Sequence, residues 1–333
     1  MQAKHEPDVG GEIGEKGNLG RAGIAEDRRH LATAHHLERR VADRHHENLS
    51  DRLARRARSH TIGLSGLLTR RAGEGTMQAG SEGRLTGKVA LITGGAGSIG
   101  LATAQAFVAE GAQVMIVDLE PAGLERAAAT LGAESSAWSA ADVTISDQVH
   151  SAVAATVERF GRLDVAFANA GIFGAFAPIT EYPEEVFARV IAVNVIGSFL
   201  TAKHALAAMA PGGSLIINSS VVGLTSDAGI SGYATSKHAV VGLMRTAAKE
   251  VASRGIRVNS LHPGPTDNPF QHAIEVEAVG ASVEQAARAF EAMIPLARHA
   301  TPREIAQAVV FLASDESAFM TGATLALDGG LSI

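Results

Sequence analysis

An α/β fold, a doubly wound parallel sheet of about seven strands with helices on both faces, is what this sequence predicts. Three observations carry that expectation. Short apolar runs, among them K-V-A-L-I-T, A-Q-V-M-I-V-D, L-D-V-A-F-A, S-L-I-I-N and I-R-V-N-S-L-H, recur between residues 88 and 262 and read as buried strands. Stretches of helical length separate them, and alternation at this spacing implies parallel pairing. Glycine is abundant, 36 of 333 residues, and aromatics are only 4%, which suits tight strand–helix turns.

The first run, from Lys88, ends in Gly94, Gly95, Gly97 and Gly100, followed by Ser98-Ile99 and an Ala-rich helical stretch to Glu110. A strand, a glycine loop and a helix in that order let the backbone approach a pyrophosphate. The helix start then offers free N–H groups and the positive end of its dipole. The second run ends in Asp118, 24 residues after Gly94. An acid there is placed to accept from both ribose hydroxyls of an adenosine and to repel a 2′-phosphate. The Gly loop holds no Arg or Lys and Leu119 follows the Asp, so NAD is expected over NADP. Capping the next helix is the plainer use of a strand-ending Asp.

S-S-A-W-S-A-A-D-V predicts a third strand ending at Asp142-Val143, and residues 146–160 a helix. A fourth strand breaks at Asn169, Ala170 and Gly171. Residues 184–209 predict one long apolar helix with Asn194 in its middle. An amide among Val, Ile and Ala needs a hydrogen-bond partner; from the residues alone, a satisfied core Asn is the plain expectation.

Next comes Asn218-Ser219-Ser220 at the end of a strand, then Y-A-T-S-K from Tyr233 to Lys237. On a helix, residues four apart share a face. An ammonium beside a phenol favours the phenolate and is expected to lower the Tyr pKa from about 10. A Tyr so tuned exchanges protons with an alcohol or carbonyl oxygen near neutral pH, and a Ser hydroxyl at a strand end donates to the same oxygen. In isolation such a pair reads better as a surface Tyr and a solvated Lys; its place after the Ser-Ser strand and the nucleotide pattern favours the functional reading.

The sixth strand runs into H-P-G-P-T-D-N-P, where three prolines argue against regular structure. Residues 270–300 are expected to be partly helical and variable. T-P-R-E opens a helix with Thr301 as cap and Glu304 three residues on, and M-T-G-A-T-L-A-L-D-G-G supplies a last strand.

Residues 1–76 differ from the rest. They carry 7 of the 13 His, with 14 Lys+Arg against 11 Asp+Glu, a net +3; the remainder holds 15 and 24, a net −9. A basic arm for nucleic acid and a metal tract at His35-His36 and His45-His46 are the sharper readings; a disordered or artefactual extension with the natural start at Met77 is the expectation, because acids interrupt the bases and no ligand spacing is convincing. Residues 77–333 are then one catalytic domain. The acidic balance opposes nucleic acid as a partner. The absence of cysteine excludes disulfides, thiolate metal sites and a Cys nucleophile. No uninterrupted apolar run reaches about 18 residues and no signal pattern opens the chain, so a cytoplasmic protein without membrane contact and without a metal is expected.

From about Leu85 to Ile333 the chain resembles the classical short-chain dehydrogenases/reductases, whose domain is Rossmann-like. The match rests on T-G-G-A-G-S-I-G at 93–100, Asp118, Asp142-Val143, N-A-G at 169–171, Asn194, Ser220, Y-A-T-S-K, and Pro263-Gly264. The resemblance implies a tetrad of Asn194, Ser220, Tyr233 and Lys237. In it Tyr is the acid/base, Ser orients the substrate oxygen, Lys holds the nicotinamide ribose, and Asn anchors a water of the proton relay. It implies cofactor contacts from these motifs and from Thr266, and a homotetramer that pairs the long helices. Three departures stand out. Ser98 holds the usual middle Gly of the loop, Ala168 replaces the first Asn of N-N-A-G, and Thr266 and Asn268 follow Pro263-Gly264 in place of an aliphatic residue and a Thr.

The expected function is NAD-dependent interconversion of a secondary alcohol and a ketone. A β-ketoacyl-thioester reductase and a non-catalytic NAD-binding scaffold are the alternatives; Asp118 opposes the first and the intact tetrad the second. The substrate pocket is expected from residues 171–180, 221–230 and 265–295, with Phe173, Phe176, Val222, Leu224 and Phe270 favouring an apolar substrate.

Overall fold

The computed structural model describes residues 83–333. The extension over residues 1–76, its His pairs and Met77 lie outside them. Strands β1 (Val89–Thr93), β2 (Gln113–Asp118), β3 (Ser136–Ala140), β4 (Val165–Ala168), β5 (Ser214–Asn218), β6 (Arg257–Pro263) and β7 (Thr324–Leu327) form one sheet in the order β3-β2-β1-β4-β5-β6-β7. Every neighbouring pair is parallel. The chain winds outward one way from β1 and the other way from β4, so the order reverses between them, where such sheets open a crevice at their carboxyl ends.

Strand alternation splits the core in two. Leu91, Leu215 and Ile217 face helices α3 (Ser146–Phe160), α5 (Gly197–Ala208) and α6 (Ser231–Val251), packing with Val153, Ala205 and Met244. Ile92, Ile116 and Ile216 face α1 (Ser98–Ala109), α2 (Pro121–Leu131) and α9 (Pro302–Ala313), packing with Phe107, Leu124 and Val309. Strands buried on both faces explain the continuous apolar runs.

The turn after β1 is closely fitted. Gly94 has φ 65°, in the left-handed region, and a Cβ on Gly100 would fall 2.1 Å from the Gly94 carbonyl oxygen. Gly100→Ala should therefore push α1 off the turn. Overpacking of this kind costs about 1–3 kcal/mol, to be read as a lower urea midpoint together with weakened dinucleotide binding.

Several expectations need adjustment. β3 ends at Ala140, so Asp142-Val143 sit in the following turn. There one carboxylate oxygen of Asp142 accepts from Thr144 N and Oγ1 at 2.8 and 2.7 Å. β6 runs on through Pro263, tolerated because it is the strand's last residue. Pro269 opens α7 (Pro269–Val279) rather than breaking structure: Asn268 caps it, and a first-turn proline lacks only an N–H that had no helical partner. Helix α8 (Val283–Glu291) follows. The Thr301–Glu304 capping box on α9 is present.

The helix predicted over 184–209 is α4 (Glu184–Val190), a π-helical turn at Ile191–Ile196, and α5. Within Glu184–Ala208 an 18-residue window reaches a mean hydropathy of 1.5, long and apolar enough to cross a bilayer. Interruption by Arg189 and Lys203 hid this length among the apolar runs. Here it packs inward, burying Val190, Asn194, Gly197, Leu200, Thr201 and Ala205.

Candidate active site

A cavity of about 1170 Å³ opens at the carboxyl ends of the strands. Gly94, Gly97, Ser98, Ile99, Asp118, Leu119, Asp142, Val143, Asn169, Ala170, Gly171, Ser220, Tyr233, Lys237, Pro263, Gly264 and Thr266 all line it. Of the sequence-predicted site residues, Gly100 and Asn194 stand behind the wall instead.

One half is shaped for a dinucleotide. Gly94 meets Asn169 so closely that a Cβ would lie 2.9 Å from Asn169 Nδ2, and one on Gly95 would lie 2.7 Å from Ile116 Cβ. At Gly97 the nearest atom would be 3.4 Å away, and Ser98 is exposed in the first turn of α1. The close approaches are thus at Gly94, Gly95 and Gly100, so a serine at 98 leaves the turn intact and adds a hydroxyl beside the helix N-terminus. That cradle, with free N–H groups and no acid in the first turn, fits a pyrophosphate. Asp118 ends β2, its Oδ2 accepting from Ala96 N at 3.0 Å and its Oδ1 from Leu119 N at 2.8 Å. Both bonds fix the carboxylate at the cleft edge and leave each oxygen able to accept again.

A chain of amides joins this half to the other. Asn169 Nδ2 donates to the Thr93 and Gly94 carbonyls, and the Thr93 hydroxyl accepts from Asn169 N and Ala170 N. Asn218 Nδ2 donates to Asn169 Oδ1 at 2.9 Å, and Lys237 Nζ donates to the Asn218 carbonyl at 2.9 Å. The ends of β1, β4 and β5 and helix α6 are locked in one register.

At the far end, Tyr233 and Lys237 share the inner face of α6, with Lys237 Nζ 5.4 Å from the Tyr233 ring centre. Ser220 caps the turn after β5, its Oγ accepting from Val222 N, and lines the cleft together with Tyr233. His262 fixes it from β6: Nδ1 donates to the Ser220 carbonyl at 2.8 Å, and Ser260 Oγ stands 2.8 Å from Nε2. A carbonyl only accepts, so the proton is on Nδ1 and Ser260 donates to Nε2. Burial pulls the His262 pKa down, consistent with that neutral ring.

The expected lowering of the Tyr233 pKa is not what this arrangement gives. Burial pushes the phenol up to about 12, against a smaller downward pull from Ser220, and pushes Lys237 down to about 8. Desolvation opposes the charged form of each group and outweighs their proximity. Tyr233 keeps part of its surface open to the cleft, so its shift is greatest when the cleft is dry. The pair still serves proton exchange, but the amine is the first group to yield its proton.

Asn194 lies in the π-helical turn and is 1% exposed. Its Oδ1 accepts from Ile172 N at 2.8 Å; its Nδ2 donates to the Ile172 carbonyl and to Ser236 Oγ, each at 2.9 Å. Both amide protons are spent on protein, so the side chain holds the segment after β4 in place. Asn268 is likewise occupied as the α7 cap, its Oδ1 accepting from Gln271 N.

A family model described as Enoyl-(Acyl carrier protein) reductase matches residues 94–332. Momilactone A synthase of Oryza sativa subsp. japonica is 42% identical over 255 residues, 75% of this chain and 92% of that protein. Short-chain dehydrogenase reductase 3b of Arabidopsis thaliana is 36% identical over 256 residues, 75% and 97%. The solved structure of NAD+-bound xylitol dehydrogenase superposes with a TM-score of 0.71 at 34% identity, over 74% of this chain and 99% of that one. The chain belongs to the short-chain dehydrogenase/reductase family. Within this short-chain dehydrogenase/reductase, sequence reasoning had missed Asn218, Ser236 and His262, each tied to the site by contacts between distant segments. It had also placed Leu224 in the pocket, whereas Leu224 is 40% exposed and off the lining. Leu331 of the C-terminal tail lines the cleft in its stead and packs against the cluster of Phe173, Val221, Val222, Ile230 and Ala234.

Proposed function

We propose that this protein catalyses reversible hydride transfer between a secondary alcohol and NAD+, with Asn194, Ser220, Tyr233 and Lys237 as its working set. The observation that carries the reading is the Ser220–Tyr233–Lys237 cluster opening onto the same cleft as the Gly94–Gly100 cradle and Asp118. The nicotinamide, when bound, accepts or gives the hydride; the chain's own residues manage the proton. Ser220 hydrogen-bonds the substrate oxygen and sets its position. Tyr233 takes the alcohol proton or returns it. Lys237, held by the Asn218 carbonyl, keeps an amine beside the phenol. Asn194 and His262 hold the backbone on either side.

Phe173, Phe176, Val222, Ile230, Phe270, Phe290 and Met293 make the substrate end apolar, with the Phe173 ring 5.2 Å from that of Tyr233. A substrate with an apolar body follows. The test is NADH absorbance in the presence of NAD+ and a panel of secondary alcohols. NADH formation favouring apolar members is expected; absence of oxidation across the panel refutes the reading.

The pKa order sets a pH dependence. Alcohol oxidation needs the pair to have lost a proton, and the pair first loses one near Lys237's value of about 8. The oxidation kcat/KM should therefore rise as pH rises through about 8, while ketone reduction is favoured below it. A flat oxidation profile between pH ~6.5 and ~9.5 would separate this pair from the proton transfer.

A homotetramer is also proposed. Ile196 and Phe199 stand about half exposed on the long helix, and Phe319 and Ile333 are fully exposed near the C-terminus. Light scattering of the full chain at micromolar concentration should give four copies; a clean monomer refutes it.

A further inference from the structure

Behind the apolar wall of the cleft lies a buried charge cluster that the proton chemistry does not use. Glu275 on α7 is fully buried. Its Oε1 stands 2.6 Å from His299 Nε2 and accepts from Gln271 Nε2 at 3.0 Å, while its Oε2 is buried with no partner. The other ring nitrogen, His299 Nδ1, stands 3.2 Å from Glu291 Oε1 at the end of α8. Carboxylates from two helices thus converge on one imidazole from a third segment.

Only an imidazolium donates from both nitrogens, and a buried carboxylate is costly without a charged or hydrogen-bonding partner. Burial pulls the His299 pKa down, but the bonds from Glu275 and Glu291 outweigh it and hold the value above the ordinary one. The other charged groups nearby face elsewhere. The His272 ring is 6.5 Å from that of His299 and pairs with Asp267. Arg298 donates to the His299 carbonyl and forks onto Glu304. Among the described residues no Lys or Arg pairs with Glu275 or Glu291.

Each member of the cluster is next in sequence to a part of the cleft. Glu275 follows Ile274 and Glu291 follows Phe290, both lining residues. His299 precedes Ala300, whose N–H donates to the Pro265 carbonyl at 3.0 Å and whose carbonyl accepts from Asp267 N at 2.8 Å, bridging Ala300 to Thr266.

We propose that His299, bridging Glu275 and Glu291, is a positioning residue that fixes α7 and α8 against the Pro265–Asp267 segment and so sets the distance of the Ile274–Phe290 wall from Tyr233. Its kinetic consequence rests on the alcohol–ketone reading of the cleft; its structural consequence does not.

The test uses the full chain with His299→Gln, Glu275→Gln and the two combined. It reads KM and kcat for a secondary alcohol and amide hydrogen exchange over residues 265–300. Loosening that wall removes contacts the alcohol makes equally in the ground and transition states, so His299→Gln should raise KM ~10–100-fold with kcat nearly unchanged. Exchange should quicken in α7 and α8 and stay unchanged in β1–β5. Adding Glu275→Gln should leave exchange in α7 and α8 quickened, because the bridge is still missing even though the orphaned charge is gone. Wild-type KM and exchange in His299→Gln, or full recovery in the double variant, would overturn the proposal. Should His299→Gln fail to fold, Glu275→Gln decides: quicker exchange in α7 and α8 supports the clamp and wild-type exchange rejects it. If the wild type oxidises no alcohol, the proposed function falls while the exchange measurements still decide this inference.

Discussion

Replacing Tyr233 with Phe is expected to lower kcat by ~10²–10⁴ while dinucleotide affinity stays within error, because only a proton-transferring hydroxyl is lost. The ring keeps its packing against Phe173 and its face toward Lys237. Tyr233 lines the cleft and is only part-buried, so the cost to folding is small. Steady-state turnover and calorimetric NAD+ titration of the same preparation check both halves. Near-normal turnover would mean that another group moves the proton; lost binding would mean that the hydroxyl shapes the nucleotide half.

The second large effect is cofactor choice. Asp118 is held at the cleft edge by Ala96 N and Leu119 N, each oxygen still free to accept from a ribose hydroxyl. A 2′-phosphate there brings roughly −1.5 to −2 charges against the carboxylate and forfeits two charge-assisted bonds. Leu119 is exposed beside it, and no Lys or Arg stands in the Gly94–Gly100 turn or at position 119. NAD(H) should be preferred by at least ~100-fold in kcat/KM, about 2.7 kcal/mol at 1.36 per decade. Asp118→Asn removes the charge while keeping an acceptor for Ala96 N, so it should shrink the gap without opening the loop, and adding Leu119→Arg should narrow it further. Equal kcat/KM for NAD+ and NADP+ in the wild type would remove Asp118 from the ribose.

The parts of this molecule legible in its sequence are those written locally. Gly94 to Gly100, Asp118 and Tyr233–Lys237 are short-range patterns whose spacing on a strand, turn or helix is itself the geometry. What stayed hidden depends on which strands lie side by side. Asn218 reaches Asn169, 49 residues away, only because β4 pairs with β5. His262 reaches Ser220, 42 residues away, only because β6 flanks β5. The π-helical turn at Ile191–Ile196 left no sign because its apolar residues suit an α-helix equally well; the widened turn shows only in where Asn194 reaches. Leu224 misled because apolar character does not tell a pocket wall from an exposed turn, and Leu331 was missed because it returns to the cleft from the chain end. The Tyr233 pKa was misjudged in sign because proximity of Lys237 is readable from spacing, whereas burial is not.

The account stands on one event, transfer of hydrogen from a carbinol carbon under the control of Tyr233. It is measured by supplying NAD+ with an apolar secondary alcohol deuterated at that carbon and weighing the reduced cofactor by mass spectrometry. Deuterium in the NADH formed by the wild type, with formation lost in Tyr233→Phe, is the predicted result. Undeuterated NADH, or equal formation by both proteins, would contradict it.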